Sequence, residues 1–136
     1  MIKKKPKAIE DAQCISFVQE LELRIKTDKR LKGLKFYHIP NGGMRNVIIA
    51  TKLKRMGTLK GVSDYFIMRA SRGYHGLYIE FKALTKDYKG KVSPEQKQFI
   101  SDAINEGYKA VVVWGASQAI EEVYKYLEIK LRNVLI

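Results

Sequence analysis

The chain is poor in the residues that staple proteins or span membranes. It has one cysteine, Cys14, among 136 residues, so no intramolecular disulfide can form. Its two histidines, His38 and His75, stand apart from Cys14 and from each other, which leaves no cluster at zinc-site spacing. No stretch of about 18 apolar residues occurs, so no membrane-spanning helix is expected. The basic segment Met1–Lys7 is not followed by the apolar run that a secretory signal requires, and the expected location is the cytoplasm. No internal repeat and no serine- or glycine-rich linker divides the chain. The length suits one domain over residues 1–136, with 1–8 as a flexible basic tail.

Acidic side chains are scarce as well. Lysine and arginine number 26 against 14 aspartates and glutamates, a net charge of +12. Residues 1–60 carry 15 of the basic side chains and only 5 of the acidic ones. A basic half on a small folded domain points to a polyanion, and nucleic acid is the commonest one. With 46% hydrophobic residues the chain can bury a core, so wholesale disorder is excluded.

Ile15, Val18, Leu21 and Ile25 recur at helical spacing, which predicts an amphipathic helix from Ile9 to about Ile25. Lys35–Ile39 is short, aromatic and strand-like, and it ends at the turn signal Pro40-Asn41-Gly42-Gly43. A second helix is expected from about Met44 to Met56, carrying Arg45, Lys52, Lys54 and Arg55 and stopped by Gly57. Val62–Arg69 and Gly76–Lys82 read as strands joined through Ser71-Arg72-Gly73 into a hairpin. Ser93, Pro94 and Gln96 make a capping box that opens a third helix, and Gly107 stops it. Lys109–Trp114 is an apolar strand of the buried type, and a last helix runs from about Ser117 to Leu131. The expected class is α/β, a mixed sheet flanked by helices in the order α-β-α-β-β-α-β-α. Its strand–helix–strand unit from Gly76 to Trp114 should cross over right-handedly.

The hairpin carries the chemistry. With its turn near Arg72-Gly73, residues whose numbers sum to about 144 or 145 lie opposite one another, so Asp64 faces Glu80 or Phe81. In the even register Asp64, Glu80 and Lys82 cluster at one end of one face, and a slip of one residue separates them. Paired carboxylates repel unless a cation lies between them, and oxygen ligands suit Mg²⁺, for which Mn²⁺ can substitute. Such a metal polarises a phosphoryl oxygen and activates a water near neutral pH. Lys82 would orient that water or offset charge on the phosphate. The plainer alternative is a strand-start aspartate and a solvated Glu-x-Lys face.

Several motifs occur together in order. They are His38-Ile39-Pro40-Asn41-Gly42-Gly43-x-Arg45, Leu53-Lys54-x-x-Gly57, Gly61-Val62-Ser63-Asp64-Tyr65, Tyr74-His75-Gly76-Leu77-Tyr78-Ile79-Glu80-Phe81-Lys82, Ser93-Pro94-Glu95-Gln96-Lys97 and Gly107-Tyr108. Over roughly residues 10 to 127 the chain resembles the VRR-NUC family of the PD-(D/E)XK nuclease superfamily, in particular its small stand-alone phage- and virus-type members. For such a member the location implied is the host cytoplasm.

The resemblance implies a restriction-endonuclease-like core with catalytic Asp64, Glu80, Lys82 and Gln96. It implies Mg²⁺ or Mn²⁺ held by Asp64, Glu80, the backbone carbonyl of Phe81 and an early acidic residue. For that residue Glu10, followed by Asp11, matches best, with Glu20 and Glu22 as competitors. Glu22 shares its helical phase with Ile15, Val18 and Ile25, an awkward place for a solvated charge. Gln96 has two candidate roles, the site and the cap. Ser63 departs from the family pattern, which has proline before the aspartate.

The resemblance further implies a homodimer that cleaves branched DNA, such as a four-way (Holliday) junction or a flap, in a repair setting. Asn41, Gly42, Arg45, Lys52, Lys54 and Arg55 are the candidate DNA contacts, and phosphate contacts of this kind position a duplex without reading it. His38 is either an ordinary strand histidine or a further contact, Lys89 and Lys91 are weaker candidates, and His75 has no evident role. The apolar end Leu131–Ile136 packs either on its own core or into a partner. Two other readings are a non-catalytic nucleic-acid-binding module on a nuclease-like fold and a sequence-specific restriction enzyme. The second is disfavoured because so short a chain has little material beyond the core to read base edges.

Overall fold

The computed structural model describes residues 5–40 and 46–131. Its elements are α1 (Pro6–Thr27), a 3₁₀ turn at Lys29–Leu31, β1 (Lys35–His38), α2 (Val47–Arg55), β2 (Tyr65–Met68), β3 (Leu77–Phe81), α3 (Pro94–Asn105), β4 (Lys109–Val113) and α4 (Ala116–Leu127). The element order is the expected one with the 3₁₀ turn added. Asn41, Gly42, Gly43, Arg45 and the segment after Leu131 lie outside the described residues. No helix among the described residues is long and apolar enough to cross a membrane.

The four strands lie in the order β1-β2-β3-β4, antiparallel except for the parallel pair β3 and β4, which α3 connects. Side chains alternate across the pleat and divide the sheet into two faces. Ile67, Leu77, Ile79, Phe81 and Val113 join Phe17 and Leu21 of α1 and Ile120 and Val123 of α4 in one buried cluster. The opposite face carries an aromatic row, Tyr37, Phe66, Tyr78 and Tyr108, which Phe99 of α3 meets edge-on at 5.0 Å from Tyr78. β4 is an edge strand, yet α3 and α4 both pack on it, which accounts for its apolar run.

Two helix boundaries and the inward face of α1 differ from the sequence reading. α1 begins at Pro6, where the missing N–H costs nothing in a first turn, so residues 6–8 belong to the helix rather than to a tail. α1 buries Phe17, Leu21 and Arg24; Ile15 is 59% exposed, about one residue of helical rotation off the buried stripe. Glu22 is accordingly exposed as well. α4 ends at Leu127 because Glu128 turns into the left-handed region at φ 55.

The hairpin register follows from its turn. Arg72 (φ 50) and Gly73 (φ 85) form a two-residue loop closed by Ser71 and Tyr74, which exchange both backbone bonds. Arg72 tolerates that conformation because its guanidinium donates to the Tyr126 and Lys125 carbonyls at the end of α4, both at 3.2 Å. Ser71 pairs with Tyr74, whereas Ile67 pairs with Leu77. One extra residue therefore bulges out between them, and the ladder beyond runs in the even register.

α1 and α4 are locked by a polar cluster beside the core. The Asp28 carboxylate accepts from Arg30 Nη2 (2.7 Å), Arg30 Nε (2.9 Å) and the Tyr124 hydroxyl (3.1 Å). The Arg30 side chain holds the Asp28 carboxyl well below the usual carboxylate range. A carboxylate depressed in the folded state contributes stability above its unfolded value near pH 4, and that contribution is lost as pH falls toward the folded value. Asp28→Asn should therefore lower the melting temperature at pH 7 by roughly 3–6 °C. The deficit should shrink toward pH 2, and thermal scans across that range check it.

Candidate active site

The even register sets Asp64, one residue before β2, opposite Glu80. The Asp64 Oδ2 accepts the Phe81 N–H at 2.7 Å, which ties its side chain to β3. The Asp64 and Glu80 carboxyl groups share a hydrogen bond. Glu80 is almost fully buried, at 2% exposure. Burial, followed by the neighbouring Asp64 charge, holds its carboxyl far above the usual carboxylate range. Lys82 Nζ lies 3.9 Å from Glu80 Oε2 and is itself largely covered.

Gln96 caps α3 and contacts Glu80 at once. Its Oε1 accepts the Ser93 N–H (2.9 Å) while its own N–H donates to the Ser93 hydroxyl (3.2 Å), completing the capping box. Its Nε2 donates to Glu80 Oε2 at 3.3 Å. The cap thus orients an amide whose other end holds a buried carboxylate.

α1 brings Glu10 to the rim of this pair. Its carboxyl is raised by burial and then by the Asp64 charge, and it also feels Lys82. Lys7 stands 3.8 Å from Glu10 and 3.2 Å from Asp11. Glu20 instead pairs with Arg24 at 2.7 Å, so of the three first-helix candidates Glu10 is the one beside Asp64. It does not join the pair in a single ligand group, since among the described residues no three His, Cys, Asp or Glu side chains are arranged to hold a metal ion. Lys52, Lys54 and Arg55 are exposed on α2, which buries none of its residues.

The sequence reading left two positioning residues without a role at the site. His38, at the end of β1, has Nδ1 2.9 Å from the Asp64 backbone carbonyl, which also accepts the Ile39 N–H at 2.7 Å. Its ring packs 5.1 Å from Tyr65. Gly61 (φ +97) seats the approach to Asp64 directly on the first turn of α3. The signal for His38 was its position at a strand end opposite Tyr65, which only a known pairing of β1 with β2 reveals. Ser63, where the family pattern has proline, is fully buried, and its hydroxyl finds no hydrogen-bond partner. His75 packs against Tyr108 at 5.4 Å, and its N–H donates to the Gly107 carbonyl, a structural role.

The VRR-NUC domain family model matches residues 20–117, a span that contains Asp64, Glu80, Lys82 and Gln96 but not Glu10. A solved structure described as a VRR_NUC domain protein is 31% identical, covers 89% of each chain and superposes with a TM-score of 0.63. No curated protein matches the chain. The four-stranded mixed sheet, the helices on both its faces and the two matches lead to one conclusion: the chain belongs to the VRR-NUC domain family, a nuclease-like fold consistent with placement in the PD-(D/E)XK superfamily.

Proposed function

We propose that the chain is a metal-dependent DNA endonuclease that hydrolyses phosphodiester bonds in branched DNA and works as a two-fold dimer. The observation that carries the reading is the pairing of half-buried Asp64 with buried Glu80, held by the Phe81 N–H and Gln96 and flanked by Lys82. Two carboxyls at hydrogen-bonding distance inside a protein hold a proton between them unless a cation takes its place. The donors are all oxygen, and Mg²⁺ typically uses one or two carboxylates together with waters and substrate phosphate. Asp64, Glu80 and the Phe81 carbonyl would hold Mg²⁺ or Mn²⁺, with Glu10 adding negative charge at the rim. When bound, the cation supplies polarisation of the scissile phosphate and a more acidic water.

The protein side chains divide the remaining work. Lys82 offsets charge that builds on the phosphate, Gln96 fixes the orientation of Glu80, and His38 holds the Asp64 backbone. Lys52, Lys54 and Arg55 take DNA phosphates, which supply affinity and position. Support for the dimer comes from α2 and the residues just after it. Val47, Ile48, Ile49, Met56 and Leu59 are each at least half exposed, an apolar set that a second copy would cover. A two-fold dimer presents two identical sites, as two symmetric cuts in a four-way junction require.

The test is incubation with linear, flapped and four-way-junction DNA, with Mg²⁺, with Mn²⁺ and with EDTA, beside sedimentation at micromolar concentration. Cleavage of branched DNA only with metal, by a dimer, is the expected result. No cleavage of any DNA under any condition would remove the catalytic reading. A strict monomer that cuts junction and linear duplex equally would remove the two-fold one.

A further inference from the structure

Trp114 is the single tryptophan of the chain, and none of the roles above uses it. It directly follows β4. Phe81 pairs with Val113 and the Lys82 N–H donates to the Val113 carbonyl at 2.9 Å, so Trp114 lies beside Lys82 on the neighbouring strand. Its indole Nε1–H donates to the Gly90 carbonyl at 3.1 Å. Gly90 in turn is pressed onto Lys82, since a Cβ built on it would lie 3.3 Å from the Lys82 Cβ. The ring is therefore held in place next to the candidate catalytic lysine.

That hydrogen bond also restricts what the ring can do. Its only N–H is used within the protein, so the indole has no donor left to read the edge of a base; what it offers is a flat face. The half-buried ring lines two adjoining recesses, one shared with Lys89, Lys91 and Lys97 and the other with Gln13 and Leu84. Lys89 Nζ stands 4.8 Å from the ring centroid, and all three lysines are exposed. An aromatic face beside a track of lysines is the arrangement that holds unpaired nucleotides, the base on the ring and the phosphates on the cations. Within a duplex each base face is already covered by its neighbours, so a ring of this kind engages only a base that has left the stack.

We propose that Trp114, with Lys89, Lys91 and Lys97, forms a platform for an unpaired nucleotide of the DNA strand next to the cleavage site. The base takes the indole face, Lys89 moves from the ring to a phosphate, and Lys91 and Lys97 take the phosphates beside it. The ligand class rests on the proposed reading of the chain as a DNA-cleaving protein. The platform deepens that reading by giving a reason for preferring branched or frayed DNA over a continuous duplex.

The experiment uses the full chain in EDTA with dye-labelled DNA checked to be intact, comparing a blunt duplex with the same duplex carrying a short thymidine extension. Trp114 emission should be quenched at saturation by the extended DNA and not by the blunt one. Trp114→Ala should weaken binding of the extended DNA about tenfold and of the blunt DNA less than about twofold. Trp114→Phe, which keeps a ring, should restore most of the difference, and a K91Q/K97Q chain, which leaves the indole in place, should weaken the extended DNA more than the blunt. Unchanged emission, equal quenching by both DNAs, or equal weakening of both by Trp114→Ala would overturn the platform. A chain that cuts DNA without selective quenching loses the platform and keeps its activity. One that shows selective quenching but cuts nothing loses the nuclease reading and keeps the platform.

Discussion

Glu80→Gln and Asp64→Asn should each reduce metal-dependent DNA cleavage by roughly a thousandfold or more, the rate equivalent of about 4 kcal/mol, while the chain still folds and binds DNA. Both substitutions keep shape and remove a charged donor. Asparagine is the right choice at position 64 because Asp64 Oδ2 accepts the Phe81 N–H at 2.7 Å. Alanine would leave that amide without a partner at a cost of about 1–3 kcal/mol and confuse a folding effect with a catalytic one. Glu80→Gln also makes a stability test that needs no substrate. Burial and Asp64 raise the Glu80 pKa in the folded state, so the carboxyl contributes stability that is lost as pH rises above its unfolded value near 4.3. In EDTA the glutamine variant should melt above the parent at pH 8, and the difference should close toward pH 4. Added Mg²⁺ should raise the melting temperature of the parent and leave the variant unmoved. A parent that melts identically with and without the cation, or a Glu80→Gln chain that cleaves at the parental rate, would show that the pair is not the metal site.

Gly61→Ala should be strongly destabilising for the addition of a single methyl. The residue sits at φ +97, and an added Cβ would lie 2.5 Å from the Glu95 carbonyl oxygen, a backbone atom of the first turn of α3. Left-handed strain of about 1–2 kcal/mol adds to overpacking of about 1–3 kcal/mol, giving a loss of about 2–5 kcal/mol in urea unfolding. The neighbour cannot yield without moving Gln96, which bonds Glu80, and the loop cannot yield without moving Asp64. Cleavage should therefore fall even under conditions where the variant is fully folded. Gly57→Ala is the control, because Gly57 has a similar φ of +99 and nothing within 4 Å of the added carbon. It should lose only the strain and cut normally. Equal losses for the two variants would mean that the contact between Gly61 and α3 does not position the site.

Features that depend on a few neighbouring residues could be read from the sequence. The Ser93–Gln96 capping box lies within one helical turn, and the structure contains both of its hydrogen bonds. The Arg72-Gly73 turn was likewise legible, because Gly73 marks a position where positive φ is free of cost. The periodicity of α1 identified a helix correctly but misjudged its inward face by including Ile15 and omitting Phe17. Both residues are apolar, and only the position of the sheet decides which of them meets it.

By itself, the sequence determined the α/β class, the order of the elements, the even-or-odd choice that would unite or separate Asp64, Glu80 and Lys82, and the excess of positive charge. Tertiary structure decided which register is used. The decision lies in a one-residue bulge before a turn anchored by Ser71 and Arg72 on the carbonyls of α4, contacts that span 53 to 55 residues of chain. Tertiary structure alone also turned the cap residue Gln96 toward Glu80, set His38 on the Asp64 carbonyl and placed Trp114 beside Lys82. The physical reason is the same in each case. Propensity and capping act through bonds between residues a few positions apart, whereas pairing, burial and charge act between groups that meet only after the sheet has closed, and no local pattern records which groups those will be.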